Sequence, residues 1–169
     1  MKLLELIGLP VFDIGTGKQI SKVKDICMTS EWEITHLLLV SRVPKQDMRV
    51  RWEDVTACGD DAVMIASGEA VQMTVSVLLE RAFLSGEAAL KGLPVMTSEG
   101  SQLGWVADVY FQPNMGNQIT GLEISDGLLA DLLEGRRQIE GMSRLKWGTD
   151  VIVVEESGSG SESTSVQSN

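Results

Sequence analysis

The strongest constraint on how this chain can fold is that it states one pattern twice. Gly8-Leu9-Pro10-Val11 returns as Gly92-Leu93-Pro94-Val95. Gly17, Gln19, Val23 and Asp25 return as Gly100, Gln102, Val106 and Asp108. Ile34, Thr35 and Leu37 return as Ile119, Thr120 and Leu122, and Gly59 and Asp61 as Gly148 and Asp150. The spacing drifts only where turns differ in length and where one half carries an insertion, which is what duplication of a small folded unit leaves behind. Two copies give a tandem pair rather than a solenoid. Each unit of roughly 70–80 residues is large enough for a small core. The reading is therefore two units that each close their own interior.

Within each unit the pattern is that of short strands. A strand opens after Pro10 or Pro94, where a missing amide hydrogen is harmless. A glycine turn follows, through Asp13 to Gly17 or Ser98 to Ser101. Second strands then cover Ile20 to Met28 and Leu103 to Phe111. These break strict alternation, which predicts a bulge or sharp bend. Third strands run Ile34 to Val40 and Ile119 to Ser125, with Leu37 and Leu39 facing inward in the first. Arg49 to Trp52 reads as an edge strand. Val55 to Cys58 with Ala62 to Ile65, and Leu145 to Trp147 with Val151 to Val154, read as closing hairpins. Many short strands, frequent glycine turns and little helix indicate a small barrel that leaves no open sheet edge.

Two segments depart from this plan. Met73 to Ala89 carries Val77, Leu78, Leu79, Ala82 and Phe83 at helical spacing, which predicts an amphipathic linker helix. In the second unit the stretch near 126–139 is longer than its counterpart. There Asp126 can act as N-cap, Leu128, Leu129, Leu132 and Leu133 form one apolar stripe, and Gly135 ends the turn. Ser157 to Asn169 is Ser/Gly-rich with almost no large apolar group, and is expected to stay disordered. The organisation is thus an all-β fold with minor helix: residues 1–70, a linker at 71–89, residues 90–156 and a tail at 157–169.

Composition narrows the function. The 169 residues carry a formal net charge of −10, which opposes non-specific binding to phosphate backbones. A basic protein is the easier electrostatic match. Cys27 and Cys58 are too few for a disulfide framework and behave as small hydrophobes. The first ten residues imitate a secretory leader, but Glu5 interrupts the apolar run and no small-residue cleavage site follows. No run reaches the roughly 18–20 apolar residues of a transmembrane helix, so a cytoplasmic location is expected.

The ordered series of Gly-Leu-Pro-Val, a glycine turn, Val-x-Asp-(Ile/Val), Ile-Thr-x-Leu and a closing Gly-x-Asp-aliphatic hairpin resembles the PRC-barrel family. It covers about residues 6–65 and 90–156. The segment Leu122-Glu123-Ile124-Ser125-Asp126-Gly127, followed by Asp131-Leu132 and Gly135-Arg136, is similar to the second barrel of tandem bacterial PRC proteins. Ser21 stands where the pattern has glycine, as at Gly104 in the second unit. The resemblance implies two PRC-type β-barrels in tandem, each six-stranded, used as an adaptor. It carries over no catalytic residue.

The candidate chemistry points the same way. His36 has no nucleophile pattern around it. Asp25 and Asp108 recur at equivalent strand positions, which suits a repeated backbone hydrogen bond better than a duplicated active site. Asp60-Asp61 and Glu155-Glu156 are too few donors for a hard cation, and Gly15-x-Gly17 lacks the helix and third glycine of a dinucleotide loop. No catalytic, cofactor-binding or metal-binding residue is therefore assigned, and no cofactor is expected. The insertion is the partner-binding candidate, through Asp126, Leu128, Leu129, Asp131, Arg136 and Arg137, because only one copy has it and arginines beside apolar anchors are favoured at interfaces. The expected role is a non-enzymatic adaptor for a protein partner, basic or ribosome-associated, with homo-oligomers left open. The alternative is RNA binding or processing through Arg42, Arg49 and Arg51.

Overall fold

A computed structural model describes residues 1–75 and 81–155. Its strands fall into two sheets, each curled as a half-barrel. In the first half these are β1 (Pro10–Asp13), β2 (Gln19–Met28), β3 (Ile34–Leu39), β4 (Gln46–Arg51), β5 (Val55–Cys58), β6 (Val63–Ile65), β7 (Gln72–Val75) and β8 (Arg81–Ala82). They run in the order β5-β6-β1-β2-β3-β4-β7, with β8 on β2. The second sheet comprises β9 (Pro94–Thr97), β10 (Gln102–Phe111), β11 (Ile119–Ser125), β12 (Arg137–Glu140), β13 (Leu145–Trp147) and β14 (Ile152–Val154). Its order is β12-β11-β10-β9-β14-β13. Among the described residues no ladder joins the two ends of either sheet. Two short helices complete the chain, α1 (Leu3–Leu6) and α2 (Leu128–Glu134).

The duplication is visible at the level of register. β1 runs parallel to β6 with Val11 opposite Val63, and β9 runs parallel to β14 with Val95 opposite Ile152. The broken alternation has its cause in a bulge that both long strands share, between Val23 and Asp25 in β2 and between Val106 and Asp108 in β10. The extra residue bends each strand toward its core and aims the aspartate at backbone amides. Gly104 (φ +143°) backs onto β11 so closely that a Cβ would lie 2.3 Å from the Ser125 carbonyl oxygen. At the equivalent place in the first half the Ser21 hydroxyl donates to the Val40 carbonyl at 2.6 Å. A contact made by absence in one copy is a hydrogen bond in the other.

Three expectations need correction. The linker forms no helix among its described residues, because β7 adds to β4 and β8 adds to β2. Sheet pairing there overrides the helical spacing of the apolar residues; residues 76–80 lie outside the described set, as does the tail from 156. For the same reason β4 is not an edge, since β7 covers it. Finally, the halves do not seal separate interiors. One contiguous apolar core contains Val11, Ile26, Leu37 and Ile65 of the first half and Val95, Val109, Leu122 and Ile152 of the second. Joining two units this small raises the fraction of surface that is buried.

The junction repeats about an approximate two-fold. The Ile34 amide donates to the Asn117 carbonyl at 2.8 Å, and the Ile119 amide to the Trp32 carbonyl at 2.9 Å. Trp32 stacks on Trp147 with ring centroids 5.4 Å apart, and its indole N–H donates to the Leu145 carbonyl. Each half also sends its leading segment into the other. Lys2 bridges Tyr110 of β10, and the Leu4 amide donates to Asp108 Oδ1 at 3.1 Å. Ala82 pairs with Cys27 of β2, and the Leu84 amide donates to Asp25 Oδ1 at 2.9 Å. The first sheet thus extends past the boundary expected at residue 70, and the first residues of the chain lie on the second sheet.

Candidate functional site

The insertion leaves β11 through Asp126 and Gly127 (φ +112°), makes α2, turns at Gly135 (φ +75°) and returns as β12 along β11. Glycine is required at both turns because each backbone lies in the left-handed half of φ space. Gly135 ends the helix as expected. Asp126 does not cap it: the N-cap residue is Gly127, and the Asp126 side chain turns away to accept from Arg137 Nη2 at 2.7 Å. The ion pair with Arg137 on the returning strand takes the side chain instead of the cap.

Asp131 is the internal anchor of the loop. Its Oδ1 accepts from the Asp126 amide at 3.2 Å, and its Oδ2 from Ser125 Oγ at 2.7 Å and Arg136 Nε at 3.3 Å. These bonds, the one from Ser125 first, hold its carboxyl below the usual range. Arg136 reaches on to Glu123, with Nη1 2.8 Å from Oε1. Glu123 stands on β11 with only 6% of its side chain exposed, and its Oε2 takes Lys2 Nζ at 2.6 Å and the Tyr110 hydroxyl at 2.9 Å. Burial alone would raise the Glu123 carboxyl; the bonds from Lys2, Arg136 and Tyr110 outweigh it and hold the group low. Arg137 also donates to the Leu103 carbonyl.

Both arginines of the insertion are therefore committed to the protein's own carboxylates and fix the loop rather than standing ready for a ligand. What the loop presents is apolar. Leu132 is 81% exposed and Leu133 77%, far above the exposure of the other leucines among the described residues. Leu128 and Leu129 open α2, but their side chains lie outside the described residues. Of the six residues assigned from sequence, Asp126, Asp131, Arg136 and Arg137 converge on one network; Glu123 and Lys2, which complete it, were missed. Glu123 had one visible signal, a carboxylate at the strand position where the first half has Leu38.

The arginines of the alternative reading are spread over the loop after β3 and over β4. Arg42 is exposed in the loop after β3, Arg49 is half-buried on β4 opposite Leu38, and Arg51 is paired with Glu53 at 2.7 Å and Asp54 at 3.3 Å. Asp25 takes amides from Ile26 and Leu84 on Oδ1 and the Ser85 hydroxyl on Oδ2, and Asp108 takes Leu4 and Val109, so both aspartates serve the backbone. Burial pushes the Cys58 thiol up to about 11, which keeps it a poor nucleophile. Among the described residues no cluster of three or more His, Cys, Asp or Glu side chains could hold a metal ion, and no helix is long and apolar enough to cross a membrane.

Known proteins share parts of this sequence. Residues 88–159 match the PRC-barrel domain family. Over 138 residues the chain is 28% identical to the uncharacterized protein YrrD of Bacillus subtilis (strain 168), covering 80% of this chain and 76% of that protein.

Proposed function

From the premise that this chain carries a PRC-barrel domain, we propose that it is a non-enzymatic adaptor of the cytoplasm whose insertion docks a protein partner. The observation that carries the reading is the pair Leu132 and Leu133, held in solvent on a loop that the first copy lacks and that an ion-pair network fixes in place. Exposed large apolar groups on a rigid support mark interaction sites. Asp126, Asp131, Arg136 and Arg137 position the loop; Leu128, Leu129, Leu132 and Leu133 supply the contact. The net charge of −10 favours a basic partner through long-range steering. The RNA reading has less behind it, since Arg51 is already paired with carboxylates of its own chain.

The test is proximity labelling in the native cell with the full chain and with Leu132→Asp/Leu133→Asp. The adaptor reading predicts that a specific set of proteins is labelled by the parent chain and lost with the double variant, whose far-UV spectrum stays unchanged. An identical set of labelled proteins from both chains contradicts it.

A further inference from the structure

The reciprocal leaders occupy equivalent slots in the two halves, and the one on β10 shares Glu123 with the insertion. Two copies of one slot are filled by two different sequences. Along β10 the occupant is Met1 to Leu6; along β2 it is Arg81 to Ser85, with Leu90 following. Lys2 faces Tyr110 as Ala82 faces Cys27. The Phe111 amide donates to the Met1 carbonyl at 3.0 Å, and the Phe83 amide to the Ile26 carbonyl at 2.9 Å. Leu3 and Phe83 are both fully buried. Leu4 and Leu84 are 37% and 38% exposed, and each gives its amide to the bulge aspartate. Leu6 and Leu90 are buried alike.

The slot therefore recognises main chain through Asp108 or Asp25, and one large apolar side chain that can be aliphatic or aromatic. Main-chain hydrogen bonds supply affinity and a side-chain pocket supplies specificity in peptide recognition of this kind; here one bridge at Lys2 precedes the helical turn Leu3–Leu6. The β10 slot adds a charge requirement: Glu123 receives Lys2, whose ammonium also lies 5.5 Å from the centre of the Tyr110 ring. Its occupant joins the rest of the chain through Gly8 (φ +83°), around which a Cβ would meet nothing within 4 Å.

We propose that the slot along β10 is a peptide-binding site, filled in cis by the chain's own leader, which accepts in trans a short segment of another polypeptide reading Lys-(Leu/Phe)-Leu that bridges β10 at its lysine and makes one helical turn after it. The leader acts as a tethered competitor at an effective concentration of about millimolar. A trans peptide then binds in proportion to the fraction of time the slot is vacant.

The probe is a synthetic nonapeptide, Met-Lys-Leu-Leu-Glu-Leu-Ile-Gly-Leu, labelled at its carboxyl end and titrated with the full-length chain by fluorescence anisotropy. Leu3→Ser loosens the cis leader and leaves the slot intact, so it should bind the peptide at least about tenfold more tightly than the parent chain. Adding Asp108→Ala should cancel the gain. Lys2→Gln, which releases the ion pair without opening the core, should shift affinity in the same direction, and it decides the matter if Leu3→Ser loses its native circular dichroism. The proposal is overturned if folded variants bind no tighter than the parent, if the gain survives Asp108→Ala, or if a scrambled peptide binds equally well. Neither result depends on Leu132 and Leu133.

Discussion

At the scale of single residues, Glu123 joins the leader to the insertion across β11. Its partners are about half exposed, so the pairs are partly screened. Glu123→Gln should nonetheless cost about 1–3 kcal/mol, since it leaves two cations without their carboxylate. The pH dependence follows from the directions of the shifts. Glu123 and Asp131 lie below their ordinary 4.5 and 3.8, so the stability they contribute is present above those values and lost as acid protonates the folded carboxyls. Asp108 is raised by burial, against the amide bonds of Val109 and Leu4 that lower it. Its share has the opposite sign: folding takes up a proton there, and that share improves as pH falls through the raised value. Urea denaturation of the parent chain between pH 7 and pH 3 should show net loss below about 4.5, and Glu123→Gln should flatten that slope. An unchanged slope would remove Glu123 from the account.

Gly104 and Asp25 give two further residue-scale expectations. Gly104→Ala must place a methyl 2.3 Å from a backbone oxygen at a strained φ, and should lower stability by at least about 2 kcal/mol. Asp25→Ala orphans the Ile26 and Leu84 amides and the Ser85 hydroxyl, at a cost of about 2–4 kcal/mol. Thermal melts of both variants check these values. A change within about 0.5 kcal/mol, the range of surface positions, would contradict them.

At the scale of elements, α2 was legible and the linker was not. A leucine stripe bounded by Gly127 and Gly135 has the length and punctuation of a short helix, and the structure has one there. Met73 to Ala89 shows comparable apolar spacing, yet Gln72–Val75 and Arg81–Ala82 are strands. The difference lies in what is available to pair with: β4 and β2 each offer an open edge at that point, and local periodicity carries no information about a distant edge. The sequence shows the insertion's arginines only beside apolar anchors; their pairing with Glu123 on β11 and with Asp131 and Asp126 across the turn comes from the fold. Leu132→Asp/Leu133→Asp removes no buried contact, so its unfolding free energy should stay within about 0.5 kcal/mol of the parent. A larger loss would mean that the two leucines support the fold.

At the scale of the whole molecule, the repeat announced two units, and two sheets of matching topology are there. The union of their cores was hidden. Leu3 and Phe83, or Leu6 and Leu90, look like the starts of their own units, and only the positions of Asp108 and Asp25 show that each leader crosses to the other unit. Trp32 meeting Trp147 is equally non-local. Through these exchanges the halves share one core, and cooperative unfolding of both together is the expected outcome.

Native-state hydrogen exchange of the full chain, resolved by peptide and run across a urea series, tests that claim most directly. Sites along β2–β3 and β10–β11 should merge into a single global opening, with the same free energy and the same urea dependence. One sheet opening at lower urea while the other stays protected would contradict the account.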